Sequence, residues 1–189
     1  MKKLPAYNFT SRLGFTLIEL LVVIFITVLI ATISIANFRQ GERSRQAALA
    51  SDSVINTLRQ AQAYALSGKS TTNADPTCRV PQYYYVAFTY SNTLGLFGKN
   101  VKCNTSDLME LISLPQNIRI KASGLTVDAV VAATNLSVAF YPPYSLVKAS
   151  TDGGTTFASF TTVNVTVETA DGQLNRTVKV DGVAGRIGE

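Results

Sequence analysis

The sequence predicts an α+β protein, with one long N-terminal helix packed on an antiparallel β-rich globular domain. Half of that helix is apolar and of membrane length, and half is amphipathic. Three observations carry this. An apolar run of 24 residues extends from Phe15 to Phe38, broken by the single charge of Glu19. No proline occurs between Pro5 and Pro76, and Gly41 is the only glycine from Phe15 to Ser67. After Pro76 the texture changes to short period-two runs between turn residues, the pattern of strands. At 189 residues the chain accommodates one ordinary domain plus an anchor.

Along the chain, residues 1–14 form a short basic leader containing Lys2, Lys3 and Arg12. Residues 15–38 are long enough to span a bilayer as a helix. Residues 39–68 continue that helix with an amphipathic face: Ala47, Ala48, Leu49, Val54, Leu58, Ala61 and Ala65 recur at steps of three or four, with Gly68 placed to end it. Residues 69–189 form the β-rich domain. Strands are expected at Tyr83–Tyr90, Leu96–Lys102, Leu108–Leu114, Ile118–Lys121, Leu136–Tyr141, Tyr144–Lys148, Thr156–Phe160, Val163–Thr169 and Arg176–Val180. Asn92-Thr93-Leu94-Gly95 reads as a turn and Ala170-Asp171-Gly172-Gln173 as a hairpin turn. The arrangement this suggests is an antiparallel sandwich, or two sheets laid on the helix.

Composition excludes more than it assigns. The formal charge of +5 falls to +2 once the three leader cations are set apart, so the alkaline pI gives no warrant for nucleic-acid binding. Histidine is absent, which removes the commonest general base and every histidine-containing triad. No nucleophile–base pair and no metal-ligand cluster stands out, so neither enzyme activity, nor a metal, nor a cofactor is expected. Cys78 and Cys103 are too few for a thiolate metal site and suffice for one disulfide; two separate thiols are the other reading.

Glu19 needs an explanation, because a carboxylate at the centre of a membrane helix costs roughly 2.5–3.5 kcal/mol. A secretory signal would have a shorter apolar stretch, with Ser34-Ile35-Ala36 as its cleavage site, and a plain signal anchor leaves Glu19 without a role. Gly14-Phe15-Thr16-Leu17-Ile18-Glu19 instead resembles the prepilin peptidase motif of type IV pilins and type II secretion pseudopilins. That resemblance implies cleavage between Gly14 and Phe15 on the cytoplasmic side and methylation of the new Phe15 amine. It makes Glu19 a filament-assembly residue facing the N-terminus of a neighbouring subunit. The implied partners are prepilin peptidase, other pilins or pseudopilins and an inner-membrane assembly platform. The implied location is the inner membrane, single-pass, with the domain outside the cytoplasm, and then the filament. Many pilins carry a proline where this chain has Ala36, so a straighter helix is expected there.

Leu58 to Ala65, and Gly185-Arg186-Ile187 near the end, are similar to the GspH/FimT group of minor pilins and pseudopilins. The alternative function is a competence-type minor pilin that contacts DNA through Lys179 and Arg186. Some members proposed to bind DNA have a second basic residue after that arginine, where this chain has Gly188. Ser150-Thr151-Asp152-Gly153-Gly154-Thr155-Thr156-Phe157 resembles an Asp-box, a tight hairpin that its aspartate closes without taking part in catalysis. Tyr83-Tyr84-Tyr85 is expected to split between the two faces of a strand.

Overall fold

The computed structural model describes residues 16–73, 75–132, 135–143 and 146–189, with backbone alone at 35–37. The leader, Gly14 and Phe15, together with Tyr144 and the side chain of Ala36, lie outside the described residues. Among the described residues one α-helix, α1, runs from Leu17 to Ser67, and a short 3-10 turn follows at Pro76–Cys78. The chain divides into two compact units, Met1–Gly41 and Glu42–Glu189, and α1 contributes to both.

In the first unit, large apolar side chains from Leu17 to Ile33 are exposed. Its hydroxyls are satisfied within the helix: Thr27, Thr32 and Ser34 donate to the carbonyls of Ile24, Leu29 and Ile30 at 2.8, 2.8 and 3.0 Å. This back-bonding lets hydroxyls sit in an apolar setting without an external partner.

In the second unit, α1 buries Ala47, Val54, Leu58, Ala61 and Ala65 of the stripe expected from the sequence, with Ala50 taking the place of Ala48 and Leu49, of which Leu49 is exposed. The helix stops where expected. Gly68 takes a left-handed φ of 63°, and its N–H donates to the Tyr64 carbonyl at 2.9 Å.

Ten strands follow: β1 (Tyr83–Thr89), β2 (Thr93–Asn100), β3 (Thr105–Ser113), β4 (Ile118–Val127), β5 (Val130–Val131), β6 (Asn135–Tyr141), β7 (Leu146–Ser150), β8 (Thr162–Thr169), β9 (Asn175–Asp181) and β10 (Ile187–Gly188). They form two five-stranded sheets, ordered β3-β2-β1-β6-β7 and β10-β9-β8-β4-β5. Every pairing is antiparallel. Inner residues of both sheets, such as Tyr84, Val86, Phe88, Ile120, Val165 and Val178, share one core with the α1 stripe.

The three tyrosines divide as strand geometry requires. Tyr84 enters the main core, and burial pushes its phenol up to about 12. Tyr83 and Tyr85 point to the other face and pack with Phe97, Tyr141 and Phe157. Phe157 comes from the Asp-box loop. There Asp152 accepts from the Thr155 and Thr156 amides at 3.0 and 3.1 Å and from the Ser150 and Thr156 hydroxyls. The carboxylate thus closes the loop that lays an aromatic lid on the sheet.

Three expectations need correction. Asn92-Thr93-Leu94-Gly95 is not the turn; β2 starts at Thr93 because Leu94 and Leu96 are buried. Gly95 belongs inside the strand, since a Cβ there would meet the Phe97 ring at 2.5 Å. Thr156–Phe160 is not a strand, because Asp152 holds its start in the loop and only an Ala149–Ala158 bridge remains. Ile118–Lys121 is only the beginning of β4, which continues past an irregularity between Ile120 and Leu125. The two-residue strands β5 and β10 are too short to give a periodic signal.

Cys78 and Cys103 form a disulfide with their Cα atoms 5.9 Å apart, tying the segment before β1 to the β2–β3 connection. Asn100 braces the same join by donating to the carbonyls of Cys78 and Val80, each at 3.2 Å. Replacing both cysteines by alanine is expected to lower unfolding free energy by about 3 kcal/mol in the chain-entropy model, measured by denaturant titration.

The carboxyls of Asp152, Asp171 and Asp181 are held below their ordinary value of 3.8 by donated hydrogen bonds, foremost from Ser150, Thr169 and the Ala184 amide respectively. Their contribution to stability is fully present above the unfolded value and is lost as pH falls through the folded values. Thermal unfolding should therefore change little from neutrality to about pH 5 and drop steeply below about pH 4. Asp152→Asn should flatten that acid limb. An acid limb identical to the parent's would contradict this account.

Candidate functional site

The candidate site begins with the first turn of α1. The Thr16 hydroxyl accepts from the Glu19 N–H at 3.3 Å, and the Thr16 carbonyl accepts the Leu20 N–H at 3.2 Å. Thr16 is therefore placed as an N-cap, with Glu19 as the third helical residue, the Thr-x-x-Glu spacing of a capping box. The signal is local, contained in the four adjacent residues Thr16 to Glu19.

The position matters energetically. A carboxylate in the first turn of a helix gains typically about 0.3–1 kcal/mol from the macrodipole. That offsets only part of the roughly 2.5–3.5 kcal/mol set by an apolar membrane environment. Among the described residues Glu19 forms no ion pair.

Behind this turn, α1 presents an apolar surface with no cover. Its most apolar 18-residue window has a mean hydropathy of 2.8, and none of that window is buried. Among the described residues this is one helix long and apolar enough to cross a membrane. The arrangement is consistent with membrane anchoring.

The other residues singled out in the sequence are distributed differently. Lys179 on β9 and Arg186 before β10 line one shallow depression of about 370 Å³, together with Asp181 and Glu189. Two cations face two carboxylates there, so the depression is balanced in charge and is not a basic groove. Gly185 has a φ of 63°, which turns the chain back so that the Arg186 carbonyl accepts from the Asp181 amide at 2.9 Å. The Asp152 oxygens are occupied by hydrogen-bond donors, which leaves them poor ligands for calcium. Among the described residues no group of three or more histidine, cysteine, aspartate or glutamate side chains is placed to hold a metal.

A clasp near the C-terminal strand was not anticipated. The Ser51 hydroxyl of α1 donates to Glu189 at 2.5 Å, and Arg176 pairs with the same carboxylate at 3.0 Å. Arg59 donates to the Ile187 carbonyl at 3.3 Å. Ser51 and Glu189 are 138 positions apart. No local pattern in the sequence announces such a contact.

Comparison with known families finds a match to the prokaryotic N-terminal methylation motif at residues 10–35. The match spans the end of the basic leader, Thr16, Glu19 and most of the uncovered apolar helix. Neither the curated proteins nor the solved structures yield a match. Proteins with this motif are structural, and the leader implies processing by prepilin peptidase and assembly with other pilins. The motif, lying on a helix whose apolar run carries the single acid Glu19 in its first turn, marks a type IV pilin-like prepilin leader.

Proposed function

We propose that this chain is a minor pilin or pseudopilin of the GspH/FimT type, a structural subunit of a type IV pilus or a type II secretion pseudopilus. In this reading prepilin peptidase cuts between Gly14 and Phe15, and the Phe15 amine is methylated. The apolar part of α1 first sits as a single span in the inner membrane, with the β domain outside the cytoplasm. It then passes to the filament, where residues 15–38 pack against neighbouring helices and Glu19 meets the N-terminal amine of another subunit. The assembly platform and other pilins or pseudopilins are the partners.

The methylation motif on an uncovered apolar helix is the observation that carries this reading. The chemistry is coherent with it. Cleavage creates a cation, and a carboxylate in a low-dielectric setting gains most from an opposite charge placed close to it. Support for the subtype comes from the two stretches that carry the resemblance, because they touch: Arg59 of the helix reaches the Ile187 carbonyl, next to Arg186.

Gly14→Leu is expected to leave the precursor uncut, seen as an unshifted band on a gel and as an unmethylated N-terminus by mass spectrometry. Normal processing of that variant would refute the cleavage assignment. Glu19→Ala should leave the unfolding midpoint of the domain unchanged while reducing recovery of the subunit in sheared filaments by about tenfold or more. Incorporation at the parent level would remove the proposed role of Glu19.

A further inference from the structure

Of the strands at the sheet boundaries, β5 and β10 have two residues each, and β7 is covered in part by the Ala149–Ala158 bridge. Strand β3 is different. It has nine residues, pairs with β2 on one side only, and among the described residues no other backbone hydrogen bond reaches residues 105–113. Long open edges are hazards for pairing with other chains, and proteins usually cover or shorten them.

The register of β3 sorts its side chains. An irregularity opposite Leu96 and Phe97 places Leu108 against Phe97 and Leu111 against Gly95, two positions apart on the outer face of the sheet. It places Asp107 against Gly98 and Glu110 against Leu96, on the opposite face. Leu108 and Leu111 are 53% and 62% exposed. The two carboxylates are held in place by neutral donors: Asp107 by Thr71 at 2.8 Å and Asn73 at 3.2 Å, Glu110 by Gln60 at 2.6 Å. Neither forms an ion pair among the described residues. The edge therefore offers leucines on one face, fixed negative charges on the other and unused backbone groups between them.

We propose that β3 is a strand-addition site for an extended segment of another protein, one that alternates apolar and basic residues. Such a segment sets its apolar side chains beside Leu108 and Leu111 and its lysines or arginines beside Asp107 and Glu110, while its backbone extends the sheet. A second copy of β3 paired antiparallel about the midpoint of Leu108 and Met109 is a poor occupant, because it sets Asp107 directly opposite Glu110 of the other copy. The inference concerns the β domain and does not depend on the filament reading.

The test uses the full chain in detergent micelles and two labelled nine-residue peptides with the same alternating valines, one with lysine and one with glutamate between them. The lysine peptide is expected to bind at least about tenfold more tightly at low salt, with the difference shrinking at high salt. Amide hydrogen exchange should slow at residues 105–113. Leu111→Asn and Glu110→Gln, both on the exposed edge, should each weaken the lysine peptide several-fold without shifting the unfolding midpoint. Equal affinity of the two peptides, absence of binding, or protection away from residues 105–113 would overturn the proposal. So would concentration-dependent protection of that strand without peptide, which would assign the edge to a second copy.

Discussion

An apolar helix surface that none of the described residues covers is the constraint on which the rest depends. Burial of a leucine, isoleucine, valine or phenylalanine side chain is worth about 1.5–3 kcal/mol, and the first part of α1 displays many of these without a partner. Water is the wrong solvent for such a segment. The hydroxyls of Thr27, Thr32 and Ser34, already bonded to the helix's own carbonyls, suit it to lipid or to a bundle of other helices. Glu19 is the exception that makes the segment specific. The cap on Thr16 places it where a helix best tolerates a negative charge.

The second half of α1 obeys the opposite rule. Its apolar face is made largely of alanines and is fully taken up by two sheets, so this part of the helix belongs to an ordinary core. The division lies at Gly41, where the compact units meet in sequence. One continuous helix therefore changes environment along its length with no break in its hydrogen-bonded backbone, and its residue choice changes with it: Ile, Leu, Val and Phe before the boundary, Ala and isolated larger residues after it.

Features set by local chemistry were legible in the sequence. The helix and its glycine stop, the opposed tyrosines, the Asp152 loop and the Ala170–Gln173 turn each follow from residues a few positions apart. The methylation motif is local in the same sense. What escaped depended on partners far along the chain. Gly95 looks like a turn residue until Phe97 is seen to lie over it. Thr156 to Phe160 has the composition of a strand, yet Asp152 binds its first residues into a loop. Strands β5 and β10 exist only because longer strands offer them an edge. The contact of Ser51 with Glu189 joins two ends of the domain that share no pattern.

The polar contacts along the domain half of α1 also bear on how load passes through the molecule. Arg43 meets Asp171, Ser51 meets Glu189, Arg59 meets Ile187 and Gln60 meets Glu110. Arg43, Ser51 and Arg59 fall eight residues apart, or roughly 12 Å along the axis, with Gln60 beside the last. They lie along the buried face that runs from Ala47 to Ala65 rather than at one end of it. A pull along the helix therefore strains several fastenings at once, in shear, whereas a pull across it would open them one after another. The domain is attached to its helix as a lap joint, strong in the axial direction and weak against peeling.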